Sequence, residues 1–362
     1  MTVTTQSANI QAHLGGWLHD LSPIAWQITQ GFSLRWYGLS YLMGFVAAYL
    51  LLKFLAKRGA TAIPSERALD AILTLVVGVV VGGRLGYVLL YEPRLLGLID
   101  GFPFWGVLAV NNGGMASHGG IVGVIAAAWW LSRGFKEESG ERVGRCPPLH
   151  AMDVCALIAP AGLLFGRLAN FVNGELLGKI IAGPGESAPW WAVRYPQEIL
   201  TEPDDRLVQT TEQFRGLRQL ASQYALPDEG FYTGAYERLL TAVQSGDRVA
   251  KASIEPLISA RYPTQLMQAA LDGLLVGLVV WVVAMKPRKP GVIGAWFLIT
   301  YAIGRVLMDF VRLPDAGITQ LGGMTRGQLY SGIMLIAGVF LLVLANRSKS
   351  AADSGGWLSQ SL

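Results

Sequence analysis

Charge and cysteine are both scarce in this sequence. Its 362 residues include 29 Lys and Arg and 25 Asp and Glu, which makes 15% charged residues against about 25% in an ordinary soluble domain. That composition, with a formal net charge of only +4, excludes a disordered chain, a coiled coil and a basic nucleic-acid-binding domain. The two cysteines, Cys146 and Cys155, cannot form a disulfide framework and do not have the spacing of metal ligands.

Apolar residues are abundant instead, at 52% of the chain with a mean hydropathy of +0.40. A bilayer core requires about 20 mostly apolar residues per helix. Seven segments reach or approach that length, at residues 36–55, 71–91, 117–131, 153–172, 266–285, 292–311 and 328–345. The sequence therefore predicts an all-α polytopic membrane protein with seven transmembrane helices. No signal-peptide pattern precedes the first segment, so we expect it to be retained.

The positions of Lys and Arg predict the orientation of these helices, because cytoplasmic loops are enriched in them. The loops after the first, third and fifth segments are basic, whereas the second loop holds only Arg94. The N-terminus is therefore expected outside and the C-terminus inside. The predicted organisation is transmembrane helices one to four over residues 1–173, an extracytoplasmic insertion over 174–265, helices five to seven over 266–346, and a cytoplasmic tail over 347–362.

The predicted insertion, 174–265, is long and rich in charge, and short amphipathic helices are expected within it. Two interpretations remain open. It is either an extracytoplasmic addition with a small core of its own, or a cap that admits a protein substrate to the membrane surface.

Three arginines lie inside apolar segments, where an ionisable side chain is costly and usually marks a functional cavity. Arg84, Arg167 and Arg305 each follow a glycine and lie five to seven residues from the predicted outer end, roughly 7–11 Å deep at 1.5 Å per residue. The alternative is a snorkelling anchor or a structural ion pair, and for Arg84 the candidate partners are Asp272 and Asp309.

Other polar residues share that predicted depth or a helix face with the arginines. Tyr37, His118, Asn173 and Glu175 lie at the outer ends of segments; Tyr301, Arg305, Asp309 and Arg312 form one stripe; Arg167 and Asn170 form another; and Gln265, Gln268 and Asp272 form a third. Guanidinium groups bind phosphate bidentately and keep their charge when partly buried. A phospholipid phosphate resides at this depth, so an anionic lipid is the expected ligand.

His118 is a candidate general base for a thiol or alcohol. It follows Gly113-Gly114-Met115-Ala116-Ser117, and flanking glycines leave room for a substrate beside its ring. The alternative is a structural histidine near the end of a helix. The sequence contains no recognisable metal-ligand cluster or Ser-His-Asp order, so no metal or other cofactor is expected.

Several motifs together resemble the prolipoprotein diacylglyceryl transferase family, in the family's order and across six of the seven segments. They are Trp36-Tyr37-Gly38-Leu39, Gly83-Arg84-Leu85-Gly86-Tyr87, Gly113 to Gly120, Gly166-Arg167-Leu168-Ala169-Asn170-Phe171-Val172-Asn173-Gly174-Glu175, Arg261-Tyr262-Pro263-Thr264-Gln265-Leu266, Tyr301-Ala302-Ile303-Gly304-Arg305 and Phe310-Val311-Arg312.

This resemblance implies a multi-pass enzyme of the bacterial inner membrane. Such an enzyme moves the diacylglyceryl group of phosphatidylglycerol to the lipobox cysteine thiol of a preprolipoprotein, forms a thioether and releases glycerol phosphate. The implied partners are therefore phosphatidylglycerol and a preprolipoprotein signal peptide, and no nucleic acid.

The resemblance also implies roles for residues that match the family's motifs. The implied catalytic set is His118 as the candidate base, with Arg167 and Arg305 as phosphate clamps. The implied substrate-binding residues are Tyr37, Arg84, Asn170, Asn173, Glu175, Gly178, Tyr301, Asp309 and Arg312.

Three positions depart from the family pattern. Asn112 stands where an acidic residue commonly precedes Gly-Gly, and Asp309 and Gln268 stand where glutamate is common.

The competing hypothesis is a transporter or flippase for an anionic lipid. Transporter sites lie near the bilayer midplane at the interface of structural repeats. Here the arginines are predicted in the outer half, and the only internal echo is Gly-Arg-Leu in the second and fourth segments. A non-catalytic membrane scaffold would leave the arginine set without a purpose. The enzyme interpretation is therefore favoured.

Overall fold

The structure is a computed structural model that describes residues 14–29, 32–101, 103–109, 113–202, 204–227, 234–313, 325–351 and 353–359. Asn112, one of the departures from the family pattern, lies outside these residues. Most of the described chain is helical. The helices are α1 Trp36–Lys57, α2 Ala68–Leu90, α3 Ser117–Leu131, α4 Pro148–Asn173, α5 Glu198–Thr201, α6 Thr211–Ser222, α7 Tyr236–Gln244, α8 Arg248–Ile254, α9 Thr264–Gln268, α10 Val276–Val283, α11 Val292–Asp309 and α12 Arg326–Arg347.

Six helical stretches in the described part of the chain are long and apolar enough to cross a membrane. They are Trp36–Lys57, Ser65–Leu90, Pro148–Asn173, Thr264–Val283, Val292–Asp309 and Gly327–Arg347. A polytopic membrane protein is thereby confirmed. The predicted third segment, α3, has the expected bounds but only 15 residues, so the number seven stays a prediction.

Two helix ends differ from the hydropathy prediction for identifiable reasons. Helix α4 begins at Pro148 rather than residue 153, because proline is favoured in the first turn and the carboxylate of Asp153, in the second turn, has hydrogen-bond donors. Its oxygens accept backbone N–H bonds from Gly291 and Gly294 at 2.8 and 2.7 Å, at the start of α11. Helix α11 ends two residues before the predicted end, because residues 311–313 bond to the backbone of 177–179.

The short strands are β1 Trp17–Leu18, β2 Ile24–Thr29, β3 Phe32–Arg35, β4 Phe135–Lys136, β5 Arg142–Val143, β6 Ile180–Ala182, β7 Val193–Arg194, β8 Ala260–Arg261, β9 Pro287–Arg288 and β10 Ser354–Gly355. The chain divides into two compact units. The first contains the described residues of Met1–Tyr41, Leu164–Leu271 and Gly304–Ser331. The second contains those of Leu42–Leu163, Asp272–Ile303 and Gly332–Leu362.

The first unit contains a four-stranded sheet in the order β1-β7-β8-β6. Strand β1, which precedes the first apolar helix, pairs in parallel with β7, an arrangement that hydropathy does not predict. Helices α6, α7 and α8 surround a separate apolar core that includes Leu217, Tyr236, Leu239 and Ile254. The expected short amphipathic helices of the 174–265 segment are therefore present, and they bury their apolar faces together.

In the second unit, α2 and α3 pack through glycines, which lets their backbones approach closely. A Cβ placed on Gly123 would lie 1.9 Å from the Gly78 carbonyl oxygen, and one on Gly119 would lie 2.2 Å from that of Gly82. Any larger residue at either position would separate the two helices. The close packing also fixes the position of the first turn of α3 along the axis of α2.

The chain beyond α12 also folds onto the second unit. Strand β10 pairs with β9 in antiparallel fashion, and the buried Ser354 hydroxyl lies 3.0 Å from Nδ1 of His150. The indole of Trp357 packs against Trp281 and donates to the Trp281 carbonyl at 3.0 Å. The segment 353–358 is therefore an integral part of this unit.

Candidate active site

The end of α4 presents a carboxylate held by two amides. Gly174 follows the helix at a positive φ of 66°, which favours glycine and turns the chain back toward the helix. The backbone N–H of Glu175 then donates to the Asn170 carbonyl at 3.0 Å. The side-chain amides of Asn170 and Asn173 each donate to a different oxygen of the Glu175 carboxylate, both at 3.2 Å. Both carboxylate oxygens are thus oriented by residues of the same helix.

Tyr37, at the start of α1, joins this cluster. Its hydroxyl accepts a hydrogen bond from Tyr41 at 3.4 Å and lies near the Asn170 side chain and the Glu175 carboxylate. Four of the predicted substrate-binding residues are therefore brought together in the first unit. Arg167, also in this unit, lies one helical turn before Asn170 on the same face of α4 and is partly buried.

The chain after Glu175 is fixed from the other side by the start of α9. The Gln265 amide donates to the Glu175 carbonyl, and the Thr264 hydroxyl donates to the Leu176 carbonyl at 2.9 Å. Leu176 has a positive φ of 56°, which is unusual for a residue with a side chain and commonly occurs at functional sites. These contacts hold the turn that carries Glu175 in a conformation it would not adopt alone.

Gly178 lies where three segments cross, and the crossing leaves no room for a side chain. A Cβ at Gly178 would lie 2.3 Å from the carbonyl oxygen of Tyr262. The Gly178 carbonyl accepts from Arg261 at 3.1 Å, and its backbone pairs with Arg312 in an isolated antiparallel bridge. Next to it, the Lys179 backbone N–H donates to the Val311 carbonyl at 2.8 Å. Gly178 and Arg312 are thus neighbours through their backbones.

A buried ion pair contacts this crossing through Arg261. Arg261 and Glu198 are both fully buried, and their charged groups are 2.6 Å apart. The second oxygen of Glu198 accepts the backbone N–H of Ser259 at 2.8 Å. Burial raises the pKa of Glu198, while the Arg261 charge acts in the opposite direction. Because Arg261 also bonds to Gly178, this pair connects the interior of the sheet to the turn that carries Glu175.

Arg305, and not Arg84, pairs with Asp309 on α11. The two side chains make an i, i+4 ion pair, and the Thr325 hydroxyl donates to the other Asp309 oxygen at 2.7 Å. A Cβ at Gly327 would lie 2.8 Å from that oxygen and 3.0 Å from an Arg305 nitrogen. A glycine at the start of α12 is therefore required for α12 to approach the pair. Neither Thr325 nor Gly327 was predicted as a site residue.

The remaining predicted residues belong to the second unit. His118 is the second residue of α3, and its side chain is exposed. Tyr301 stacks on Phe297, with ring centroids 6.0 Å apart. Arg84 is buried in α2 and bonds only to backbone carbonyls, and no carboxylate in the described part of the chain forms an ion pair with it.

The predicted stripe at the start of the fifth apolar stretch is fully inside the protein. Gln265, Gln268 and Asp272 are each at most 1% exposed. The Gln268 amide makes no hydrogen bond to any described residue, and the helix widens into a π-helix at Ala269–Leu275 directly after it. Such widened turns occur often at functional sites.

Two residues that support the site were not found from the sequence. The Tyr195 hydroxyl donates to Gln265 at 3.0 Å, and burial raises its pKa. His19 Nε2 donates to the Phe171 carbonyl at 2.7 Å, and its Nδ1 accepts from Gln197 at 3.0 Å. Burial lowers the pKa of His19, so the neutral ring is the favoured form. Both contacts join positions far apart in sequence, which no local pattern reveals.

Comparison with known proteins places these features in a family. The family model described as prolipoprotein diacylglyceryl transferase matches residues 23–344. A relative from Bdellovibrio bacteriovorus, named phosphatidylglycerol–prolipoprotein diacylglyceryl transferase, is 40% identical over 93% of this chain and 96% of its own length. Relatives of the same name from Stenotrophomonas maltophilia and Rhodospirillum rubrum are 34% and 33% identical, over 92% and 90% of this chain and 94% and 93% of their own lengths. The resemblance inferred from the motifs is confirmed, and the chain belongs to the prolipoprotein diacylglyceryl transferase family.

Proposed function

We propose that this transferase moves the diacylglyceryl group of phosphatidylglycerol to the lipobox cysteine thiol of a preprolipoprotein. The thiol sulfur forms a bond to the glycerol carbon that carries the phosphate, and the bond between that carbon and the phosphate oxygen breaks. Glycerol phosphate leaves with the electron pair, and the thiol proton passes to a base. The products are a thioether-linked diacylglyceryl peptide and glycerol phosphate.

The cluster at the end of α4 is the observation that carries this proposal. The Asn170 and Asn173 amides bond to the Glu175 carboxylate one turn beyond Arg167, and the Tyr37 hydroxyl lies beside them. A fixed cation beside such a network suits a reaction in which negative charge develops on a departing phosphate. The oriented amide and phenol groups supply neutral donors and acceptors for the glycerol hydroxyls of the same lipid.

Arg167 and Arg305 are proposed to hold the phosphate. A guanidinium offers five N–H donors in a planar fork, and Asp309 with Thr325 fixes the orientation of the Arg305 fork without using all of them. This arrangement keeps Arg305 in one rotamer before the lipid arrives, which reduces the entropy lost on binding. Tyr301 on α11 and Arg312 beyond the end of that helix are also proposed to bind substrate.

His118 is proposed as the base that takes the thiol proton. A cysteine thiol has an ordinary pKa near 8.5, so it needs a base or a nearby positive charge to act as the nucleophile at neutral pH. The exposed imidazole at the start of α3 is accessible to a peptide that enters from the lipid.

The membrane arrangement is part of the proposal. Helix α3 is proposed to complete seven transmembrane helices, with the N-terminus outside and the C-terminus inside the bacterial inner membrane. Residues 174–265 then form an extracytoplasmic insertion. The backbone bridge between Gly178 of this insertion and Arg312 outside it supports a role in holding the site, beside a role in admitting the protein substrate.

Mass spectrometry of the peptide product tests the function. Purified protein in liposomes is mixed with phosphatidylglycerol and a lipobox peptide that has one free cysteine. We expect a diacylglyceryl mass gain that requires phosphatidylglycerol and that Arg167→Ala abolishes, while Arg94→Ala, which removes an exposed arginine, keeps it. A gain that survives Arg167→Ala would remove this arginine from the mechanism. Lipid movement across the bilayer without any covalent product would favour the transporter alternative.

A further inference from the structure

Arg84 is enclosed by backbone carbonyls of the segment that leads into α3. Its Nε donates to the Val107 carbonyl at 2.8 Å. One terminal nitrogen donates to Gly113 and Gly114 at 2.7 and 3.0 Å, and the other donates to Gly106 and Ala109 at 2.6 and 3.1 Å. An arginine has five N–H donors, and here each has an acceptor.

This arrangement is unsuited to a phosphate ligand. The side chain is 4% exposed, and a phosphate oxygen could bond to it only by displacing one of these carbonyls, three of which, those of Gly106, Val107 and Ala109, belong to buried residues. The carbonyls instead act as the solvation shell of the buried charge. Arg84 therefore differs from Arg305, whose only described side-chain partner is a single carboxylate.

The segment whose carbonyls surround Arg84 leads directly to His118, the residue proposed as the base. Gly113 and Gly114 have positive φ values of 80° and 85°, and the Tyr87 ring leaves no space for a Cβ at Gly114. Two residues later, the Ala116 backbone N–H donates to the Gly83 carbonyl at 2.9 Å. His118 follows directly, in the first turn of α3. The path from the Arg84 guanidinium to His118 is thus four residues of backbone, fixed at both ends to α2.

We propose that Arg84 is a positioning residue, which sets the place of His118 by binding the five carbonyls of residues 106–114, and does not bind the lipid phosphate. This inference rests on the proposed function, since it assigns Arg84 a role in that reaction. It replaces the substrate-binding role that the motif resemblance implies for Arg84.

Lysine at position 84 provides the sharpest test, because it keeps the charge but has only three donors for five carbonyls. In Arg84→Lys we expect kcat for peptide modification to fall about 10- to 100-fold, as expected when buried acceptors lose their partners. The dissociation constant for phosphatidylglycerol should stay within about twofold of the wild-type value. Arg94→Lys, an exposed arginine of the same loop, is the matched control and should leave both quantities unchanged.

Chemical rescue separates positioning from a general loss of structure. Arg84→Ala creates a space lined by the five carbonyls, and added guanidinium ion can donate to all of them. We expect guanidinium at low, non-denaturing concentration to raise kcat of Arg84→Ala by about tenfold or more, whereas ammonium at the same ionic strength does not. Hydrogen exchange should rise in residues 103–116 of Arg84→Lys and stay unchanged in α12, and this measurement does not depend on activity.

Three results would overturn the proposal. They are an Arg84→Lys enzyme with wild-type kcat, a phosphatidylglycerol affinity that falls tenfold or more in that variant, or unchanged hydrogen exchange in residues 103–116. If the wild-type protein forms no lipidated peptide, the proposed function fails. The hydrogen-exchange comparison then still decides whether Arg84 holds the segment.

Discussion

Replacement of Gly178 by alanine tests whether the crossing of three segments determines the geometry of the site. The new methyl carbon would lie 2.3 Å from the Tyr262 carbonyl oxygen, so one of the two backbones must move by about 1 Å to reach ordinary contact. The Arg261 bond to the Gly178 carbonyl and the Tyr262 N–H bond to the Lys179 carbonyl, both 3.1 Å long, would be lost or weakened.

The expected loss of stability follows from those contacts. Two weakened hydrogen bonds contribute about 1 kcal/mol each, and overpacking contributes about 1–3 kcal/mol more. The free energy of unfolding of the first unit should therefore fall by about 3–5 kcal/mol, which corresponds to a midpoint roughly 6–20 °C lower. Transfer activity should fall at the same time, because the displaced turn carries Glu175.

Thermal unfolding in detergent, together with the peptide assay, measures both effects. Gly162→Ala is the matched control, because a Cβ at this helical glycine meets nothing within 4 Å and alanine favours a helix. We expect that control to be as stable as the wild type or more so. A Gly178→Ala protein with wild-type midpoint and activity would refute the proposed crossing.

Three further predictions concern the surroundings of the site. Asn170→Leu should lower kcat/KM at least tenfold, because one oxygen of the Glu175 carboxylate loses the amide that orients it. The midpoint of thermal unfolding should change by only a few degrees, because that oxygen lies at the surface of the protein. Steady-state kinetics and thermal unfolding measure the two effects. Glu198→Gln should destabilise the protein by about 3–5 kcal/mol, because the Arg261 charge stays buried without its counter-ion, and chemical denaturation measures the loss. His19 has a pKa below its ordinary 6.5, because burial disfavours the charged ring. The unfolded chain therefore binds the proton more tightly than the folded protein, and stability should fall as the pH decreases below about 6.5. A pH series of unfolding midpoints should show a smaller decrease for His19→Gln.

Hydropathy identified the apolar helices because burial in lipid requires long apolar segments, but it could not place the ends that depend on distant partners. The fourth segment was predicted to begin at the Asp153 carboxylate, whereas helix α4 begins five residues earlier, at Pro148. The structure satisfies that carboxylate with the backbone N–H groups of Gly291 and Gly294. The pairing of β1 with β7 and the docking of residues 353–358 likewise depend on contacts across more than 60 residues.

In the site, too, local spacing predicted some features, whereas others depend on distant contacts. Helical spacing placed Arg167 and Asn170 on one face and Arg305 and Asp309 on another, but Asp309 was named as a candidate partner of Arg84 and not of Arg305. The three Gly-Arg pairs looked alike in the sequence, yet Arg84 is enclosed by carbonyls, because carbonyl positions depend on the backbone path and not on residue type. The roles of Tyr195 and His19 arise from contacts that no local pattern contains.

The chemical nature of the peptide product tests the central claim most directly. The wild-type protein is incubated with phosphatidylglycerol and the lipobox peptide, and the modified peptide is treated with neutral hydroxylamine before mass spectrometry. The account predicts a mass gain that retains both acyl chains and the glycerol, a sulfur linkage that survives hydroxylamine, and one glycerol phosphate released per modified peptide. A gain of a single acyl chain that hydroxylamine removes, with lysophospholipid as the second product, would contradict it.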